Sequence, residues 1–308
     1  MARKIIGIGE TVLDIVFRKG QPEAAVPGGS VFNSMVSLGR TVGKQFPEVQ
    51  LLMESQLGDD YVADIVAEFM GRNGVGTEGM QREKGQSTVS LAMLDEHNNA
   101  HYEFFRDKNL PPFRSPDTPI RKDDIAIFGS YFAISPATGK QTAGFIRRAQ
   151  EAGAIVYYDV NFRKNHPANQ ETIEANMALA DIVRASSEDL ENLYGCSDAG
   201  RLYRERIAAL CPNFICTRGA EDAEVFSPGV HRVFPVAPVE KLVSTIGAGD
   251  NFNAGIIYGL VRNGLGKEAV KTLTADDWAL LVPVAMKFSA AVCGSLHNYV
   301  DEDFDASL

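Results

Sequence analysis

Apolar and polar positions along this chain follow two rhythms. Short continuous apolar runs at Ile5–Gly9, Leu51–Ser55, Ile125–Gly129, Ile155–Asp159, Ile182–Ser186 and Phe214–Thr217 have the length of buried strands. Between them lie segments of helical period: Val31–Val42, with Val31, Met35, Leu38 and Val42 on one face, and Val62–Met70. Buried strands alternating with helices predict an α/β fold with a mostly parallel sheet covered on both faces. Near the C-terminus, Thr274 with Asp277 three residues on resembles a capping box and predicts a helix over Trp278–Val292.

Two stretches break this rhythm. Val12–Val26 reads as a strand followed by a loop, with Gly20, Pro22 and Pro27 as its punctuation. Thr88–Arg106 alternates through Val89, Leu91 and Met93, then Tyr102 and Phe104, around the polar turn Asp95–Asn99, which is a hairpin pattern. Neither stretch joins a parallel sheet easily, so both are expected in a small β-structure beside the main domain. No repeat, low-complexity tract or interdomain linker interrupts the 308 residues.

Composition narrows the class. A hydrophobic content of 45% supports a sizeable core, and 23% charged residues is ordinary for a soluble protein. No apolar run approaches the roughly 18 residues of a membrane span, and Met1–Gly7 enters a strand-like run without a signal-peptide layout, so cytoplasm is the expected location. Cys196, Cys211, Cys216 and Cys293 form no C-x-x-C pair, which points to reduced thiols. A formal net charge of -10 without any basic run argues against nucleic acid. It leaves room for a nucleotide, because backbone dipoles and a metal ion can hold phosphates on an acidic protein.

The candidate chemistry sits where strands give way to helices. Gly247-Ala248-Gly249-Asp250 lies between the β-like Val243–Ile246 and an apolar helix opening at Asn251. Small residues there let backbone N–H groups approach an anion at a helix N-terminus. An acid in that first turn would repel a phosphate, but it suits a base acting on a neighbouring hydroxyl; the plainer reading is a tight turn with a dipole-complementing acid. Pro27-Gly28-Gly29-Ser30-Val31-Phe32-Asn33 offers a second close backbone approach, with an amide suited to a polyol; its plainer reading is a helix start with Ser30 as N-cap. Asp14 and the Asp159-Val160-Asn161-Phe162-Arg163 segment fall at the carboxyl edge of the sheet, where open α/β folds bind ligands. Thr217-Arg218-Gly219-Ala220 ends another strand there. Gly7-x-Gly9 lacks the third glycine of a dinucleotide fingerprint, Val12 standing in its place. His97 and His101 lie in the hairpin turn without a third ligand, so a solvated loop is expected rather than a metal site. No Walker lysine, protein-kinase signature or serine elbow is present.

Taken together, the ordered motifs resemble the ribokinase-like, or PfkB, family of carbohydrate kinases from about Ile5 to Val292. Gly28-Gly29 with Asn33 is similar to its N-terminal signature and Thr245-x-Gly247-Ala248-Gly249-Asp250 to its C-terminal one; Gly58-Asp59-Asp60 followed by Asn73-Gly74-Val75 also fits. The resemblance implies one domain over residues 1–308: a Rossmann-like three-layer core with a β-sheet lid from about 12–26 and 86–113. It implies ATP and Mg2+ as cofactors and Asp250 as the base, with Gly247, Ala248 and Gly249 forming the anion hole. It places Asp14, Gly28, Gly29, Asn33, Arg106 and Arg163 on the sugar, and Asn161, Ser186, Thr217, Gly219, Gly247 and Gly249 near the nucleotide. Asp189 would act indirectly on the metal. The Asp159-x-Asn161-x-Arg163 segment resembles that of fructokinases and 2-keto-3-deoxygluconate kinases, so fructose is the leading acceptor and a sugar acid its rival, with Arg106 and Arg163 as the discriminating pair. A sugar- or nucleotide-binding regulator that has lost catalysis is the alternative from another class. A homodimer through the lid is expected. Several positions depart from the family pattern: Ser244 for an acid, Ile246 for a threonine, Ala63 and Asp222 for glycines, Ser186-x-x-Asp189 for N-x-x-E, and an unfamiliar Gly294–Asn298.

Overall fold

The computed structural model describes residues 3–95, 100–164, 166, 170–236, 239, 242–295 and 297–307. In chain order the strands are β1 (Lys4–Ile8), β2 (Val12–Arg18), β3 (Gln21–Gly28), β4 (Gln50–Gly58), β5 (Met80–Glu83), β6 (Val89–Leu94), β7 (Ala100–Phe105), β8 (Ile125–Gly129), β9 (Ile155–Asp159), β10 (Ile182–Ser186), β11 (Asn213–Thr217), β12 (Asp222–Ser227) and β13 (Val230–Pro235). The helices are α1 (Ser30–Gln45), α2 (Tyr61–Arg72), α3 (Ser130–Ile134), α4 (Gly139–Glu151), α5 (Gln170–Met177), α6 (Ser187–Tyr194), α7 (Ala199–Glu205), α8 (Ala248–Arg262), α9 (Lys267–Val270) and α10 (Ala275–Cys293).

Among the described residues, nine strands form one sheet in the order β13-β12-β11-β10-β9-β8-β1-β4-β5. Its pairings are parallel except for β11–β12 and β12–β13 at one edge. Because successive side chains leave a strand on opposite faces, the apolar runs supply two cores at once. Ile5, Ile125, Ile127, Ile155 and Tyr157 pack with α1, α2, α8 and α10, while Ile6, Ala126, Phe128, Val156 and Tyr158 pack with α3 to α7. The result is a three-layer α/β fold. Strand order reverses at β1, which lies between β4 and β8 and opens a crevice at the carboxyl ends of the strands.

The six apolar runs appear as β1, β4, β8, β9, β10 and β11, and α10 begins with the expected reciprocal cap between Thr274 and Asp277. The loop expected after Gly20 is instead strand β3. Lys19 and Gly20 turn the chain with φ of 50° and 76°, the left-handed pair that a two-residue hairpin requires. Pro22 is tolerated because β3 is an edge strand, where a missing N–H interrupts no ladder.

β3, β2, β6 and β7 form a separate small sheet in that order, with β2 parallel to β6 and the other pairs antiparallel. Register places Asp14 opposite Ser90, and Ser90 opposite Phe104, on one face. The other face carries Met93 and Phe105, which are 45% and 51% exposed. Residues 96–99 of the β6–β7 turn, His97 included, lie outside the described residues; His101 is an exposed residue of β7. Among the described residues no helix is long and apolar enough to cross a membrane.

Candidate active site

The glycine-rich turn before α8 is a built helix start. Gly247 is its N-cap with φ of 76°, and a Cβ there would fall 2.7 Å from the Asn298 carbonyl oxygen, so conformation and space both demand glycine. The first N–H groups of α8 have no partners within the helix, although that of Ala248 donates to the Thr245 carbonyl at 3.3 Å, and they carry the positive end of its dipole, a place where an anion is favoured. Asn251 fixes the turn from below, its amide donating to the carbonyls of Gly247 and Asn298 at 2.8 Å each.

Asp250 lies in the first turn of α8, 9% exposed, at the cavity wall. Its Oδ2 accepts from Asn33 Nδ2 and its Oδ1 from Ser30 Oγ, both at 2.8 Å. Ser34 on the same helix α1 donates to the Asp250 backbone carbonyl at 2.7 Å. Burial pushes the Asp250 carboxyl up to about 6; the neighbouring Asp159 adds to the rise and the two hydrogen bonds oppose it. Ser30 is therefore not the cap of α1. Gly29 holds that position without a side-chain cap bond, and the Ser30 hydroxyl is spent on the carboxylate.

Beneath Asp250 lies a buried ion pair. Asp159 ends β9 and is fully buried; Arg184 projects from β10, and its Nη1 donates to Asp159 Oδ1 at 3.1 Å. Arg184 Nη2 donates to Thr217 Oγ1 at 2.5 Å, and Ser30 Oγ lies 3.3 Å from Asp159 Oδ2. Burial raises the Asp159 pKa against the pull of Arg184, whereas for Arg184 the carboxylates of Asp159 and Asp189 outweigh burial and keep it charged. Next to this pair Asn161 holds a left-handed backbone with φ of 35°, a conformation asparagine tolerates better than most residues.

The opposite wall comes from the small sheet. Asp14 is 8% exposed and accepts from the Ser90 hydroxyl; burial pushes its carboxyl up to about 6, against that hydrogen bond and the Arg163 charge. Arg106 reaches back to the core, donating from Nε to Glu10 Oε1 at 2.8 Å and from Nη2 to Glu10 Oε2 at 3.0 Å. Its guanidinium lies over the rings of Phe104 at 4.3 Å and Tyr131 at 4.2 Å. Arg163 sits over Tyr102 at 5.6 Å. His166 stands beside Tyr131 and Phe162; burial, then Arg163 and Arg106, lower it to about 4, so its imidazole is neutral near pH 7.

The two walls enclose a cavity of about 770 Å³, of a size suited to small ligands. It gathers Asp14, Gly29, Asn33, Arg106, Asn161, Arg163, Ser186, Asp189, Gly247, Gly249 and Asp250. Four residues singled out in the sequence do not line it. Gly28 lies against Asp14, where a Cβ would fall 2.7 Å from Oδ2. Ala248 is the first residue of α8, Thr217 is engaged by Arg184, and Gly219 sits in the β11–β12 turn with φ of 57°. Ser186 and Asp189 form a capping box on α6, and Asp189 also accepts from the Phe162 N–H at 2.7 Å. Among the described residues no group of three His, Cys, Asp or Glu could hold a metal ion.

Sequence reasoning missed Glu10, Ser30 as a carboxylate partner, Tyr131, His166 and Arg184. Of these, Arg184 left a signal: a lone charge inside the apolar run Ile182–Ser186 cannot stay buried without a partner.

Comparison with known proteins agrees with this geometry. Residues 4–273 match the family described as pfkB family carbohydrate kinase. A fructokinase of Vibrio alginolyticus is 25% identical over 284 residues, covering 88% of this chain and 88% of the relative. One of Rhizobium leguminosarum bv. trifolii is 28% identical over 292 residues, covering 90% and 85%. The crystal structure of aminoimidazole riboside kinase from Salmonella enterica, complexed with aminoimidazole riboside and an ATP analog, superposes with a TM-score of 0.81 at 23% identity, covering 98% of this chain and 97% of that one. A carboxylate at a glycine-rich helix start, the three-layer fold with its small second sheet, and a family match over most of the length lead to one conclusion: this chain belongs to the pfkB family of carbohydrate kinases.

Proposed function

We propose that this carbohydrate kinase transfers the γ-phosphoryl group of ATP to a hydroxyl of a neutral sugar, with fructose as the leading acceptor and Asp250 as the base. The observation that carries the reading is the carboxylate of Asp250, set in the first turn of α8, held by Ser30 and Asn33, and lining the same cavity as Asp14. Asp14, Gly29, Asn33, Arg106 and Arg163 then hold the sugar. The backbone N–H groups of Gly247, Ala248 and Gly249 receive the transferred group, and Asn161, Ser186, Thr217 and Gly219 lie on the nucleotide side.

Chemistry follows from this placement. Asp250 takes the proton as the acceptor oxygen attacks, while the helix dipole favours the charge on the phosphoryl oxygens. Segments 12–26 and 86–113 act as a lid whose inner face covers the sugar and excludes water. Magnesium, when bound, would neutralise the nucleotide phosphates. Asp189 suits an indirect role there: its oxygens already accept from Phe162 N, Ser186 N and Ser186 Oγ, leaving about one of four lone-pair positions for a metal-bound water.

Arg106 is committed to Glu10 by two hydrogen bonds, so a sugar-acid carboxylate would have to compete for it. That favours fructose over 2-keto-3-deoxygluconate. Two further readings follow: the outer face of the small sheet, with Met93 and Phe105, supports a homodimer through the lid, and four free cysteines, none of them exposed, support a cytoplasmic location.

The test is ADP release with Mg-ATP against fructose, 2-keto-3-deoxygluconate, ribose and aminoimidazole riboside. Fructose turnover that disappears in Asp250→Asn is the expected result. A preference for the sugar acid or the riboside overturns the acceptor assignment, and nucleotide binding without turnover of any acceptor points to the non-catalytic alternative.

A further inference from the structure

We propose that Arg184 is the cation that receives the terminal phosphate of the nucleotide and clamps the phosphoryl group against the N-terminus of α8 during transfer. The inference deepens the kinase reading and rests on it. Phosphoryl transfer asks for positive charge beside the equatorial oxygens, and this chain has no Walker lysine to supply it. Of the other cations that line the cavity, Arg106 lies against Glu10 on the small-sheet side, and Arg163 and Lys164 are exposed residues beyond β9. Arg184 alone rises from the floor, out of a central strand whose flanking Val183 and Ala185 are fully buried.

Its surroundings look built for a ligand. The guanidinium is a planar fork with five N–H donors. Asp159 takes one Nη1–H and Thr217 one Nη2–H, from the carboxyl ends of the strands on either side. The Nε–H, wholly buried, has no partner. Arg184 itself is 8% exposed yet lines the cavity. A Cβ on Gly249 would fall 2.8 Å from Nη1 and 2.9 Å from Nη2, so the fork rests against the first turn of α8, whose Gly247 and Gly249 line the cavity. Glycine at position 249 thus leaves room for the guanidinium as well as for the anion.

In the step itself, the acceptor oxygen forms a bond to the γ-phosphorus as the bond from that phosphorus to the β–γ bridging oxygen breaks. The hydroxyl proton passes to Asp250, and ADP departs with the bridging oxygen. Arg184 donates hydrogen bonds to the phosphoryl oxygens throughout and exchanges neither proton nor electron. Asp159 and Thr217 are positioning residues that aim the fork.

Three variants test this: Arg184→Lys, Arg184→Gln, and Arg184→Gln combined with Asp159→Asn. The last removes both buried charges, so that folding survives if the single glutamine variant leaves Asp159 unpaired. Kinetics are read beside calorimetric titration of ADP and of the non-hydrolysable β,γ-imido analogue of ATP. Arg184→Gln and the double variant should lose about 10²–10³-fold in kcat, with the sugar KM within a few-fold of wild type. Both should also lose about tenfold or more in affinity for the imido analogue while binding ADP nearly as before. Arg184→Lys should fall between, keeping the charge but not the fork. Unchanged preference for the imido analogue over ADP in the folded variants overturns the assignment, as does a wild type that shows no such preference. Failure of the kinase reading would appear in wild type alone, as absent turnover, and the binding comparison would still decide the role of Arg184.

Discussion

On one side of the cavity, Asp250, Ser30 and Asn33 stand on long helices, with the buried Asp159 on a central strand beneath them; on the other, Tyr102, Phe104 and Arg106 lie on or just beyond a four-stranded sheet whose far face exposes Met93 and Phe105, and Asp14 of that sheet reaches in beside Gly28 toward Asn33. The first end is stapled. Asn33 and Ser34 on α1 bond to Asp250, and Ser37 to Asn251, so two helices far apart in sequence hold the carboxylate as a unit. The second end reaches the core through a cross-link between Glu10 and Arg106. The comparison teaches a division of labour. On the proposed function, the base and its partners are preorganised by burial, whereas several of the groups proposed to recognise the acceptor ride on a thinner element. Asn33 joins the two, since it is proposed to hold the sugar and also donates to Asp250.

The largest effect should come from the buried end. Asp250→Asn keeps the side-chain volume and removes the base, and should lower kcat/KM by about 10²–10⁴-fold with the substrate KM values little changed. A loss of less than about tenfold would mean that α8 contributes only its dipole and N–H groups.

Cutting the link at the other end should read out differently. Glu10→Gln or Arg106→Ala should raise the sugar KM by about 10–100-fold and leave the ATP KM within a few-fold. An equal rise in both would show that the two ends are not separable.

A pH profile sharpens the comparison, because one acid near 6 sits at each end. In the proposed roles Asp250 must be ionised to take the hydroxyl proton, and Asp14 accepts from the sugar more strongly as a carboxylate, so kcat/KM should fall as pH drops through about 6. Ser90→Ala removes a hydrogen bond that lowers the Asp14 pKa, and should move only that limb upward, by less than about one pH unit. The same acids bind protons more tightly in the folded chain than in the unfolded one. They therefore favour folding below about pH 4, and that contribution is lost as pH rises through about 6; melting temperatures measured across this range should show the decline.

Smallest in its catalytic effect should be Phe105→Ser, on the outer face of the small sheet. Sedimentation should shift from dimer to monomer at micromolar protein while kcat stays within about twofold. A monomeric wild type would remove the dimer from the proposal and leave the two-ended cavity intact.

How much of this was legible depended on burial. The central strands were readable nearly to the residue because strands covered on both faces are continuous apolar runs. The edge strands β3, β5 and β13 were not; Gln21–Ala25 is exposed, and Met80–Glu83 is polar after its first residue. Such edge strands are held by pairing to a neighbour, which leaves little trace in their own sequence. Asp250 and Asn33 stood out because small residues and a helix start surround them, a local pattern. Glu10 and Arg184 did not, since their meaning lies in partners 96 and 25 positions away.

The sequence by itself determined the alternation of strand and helix, the glycine turn before α8 with its acid, and through them the family. Those properties are local: periodicity, backbone freedom and the spacing of a few residues. Tertiary structure alone decided that the Ser30 hydroxyl serves Asp250 rather than capping α1, that Arg106 is answered by Glu10, and that Arg184 meets Asp159 and Thr217 beside the first turn of α8. Each depends on side chains from separate strands or helices arriving at one sheet edge with particular orientations. Long-range packing sets those orientations, and no local pattern along the chain encodes them.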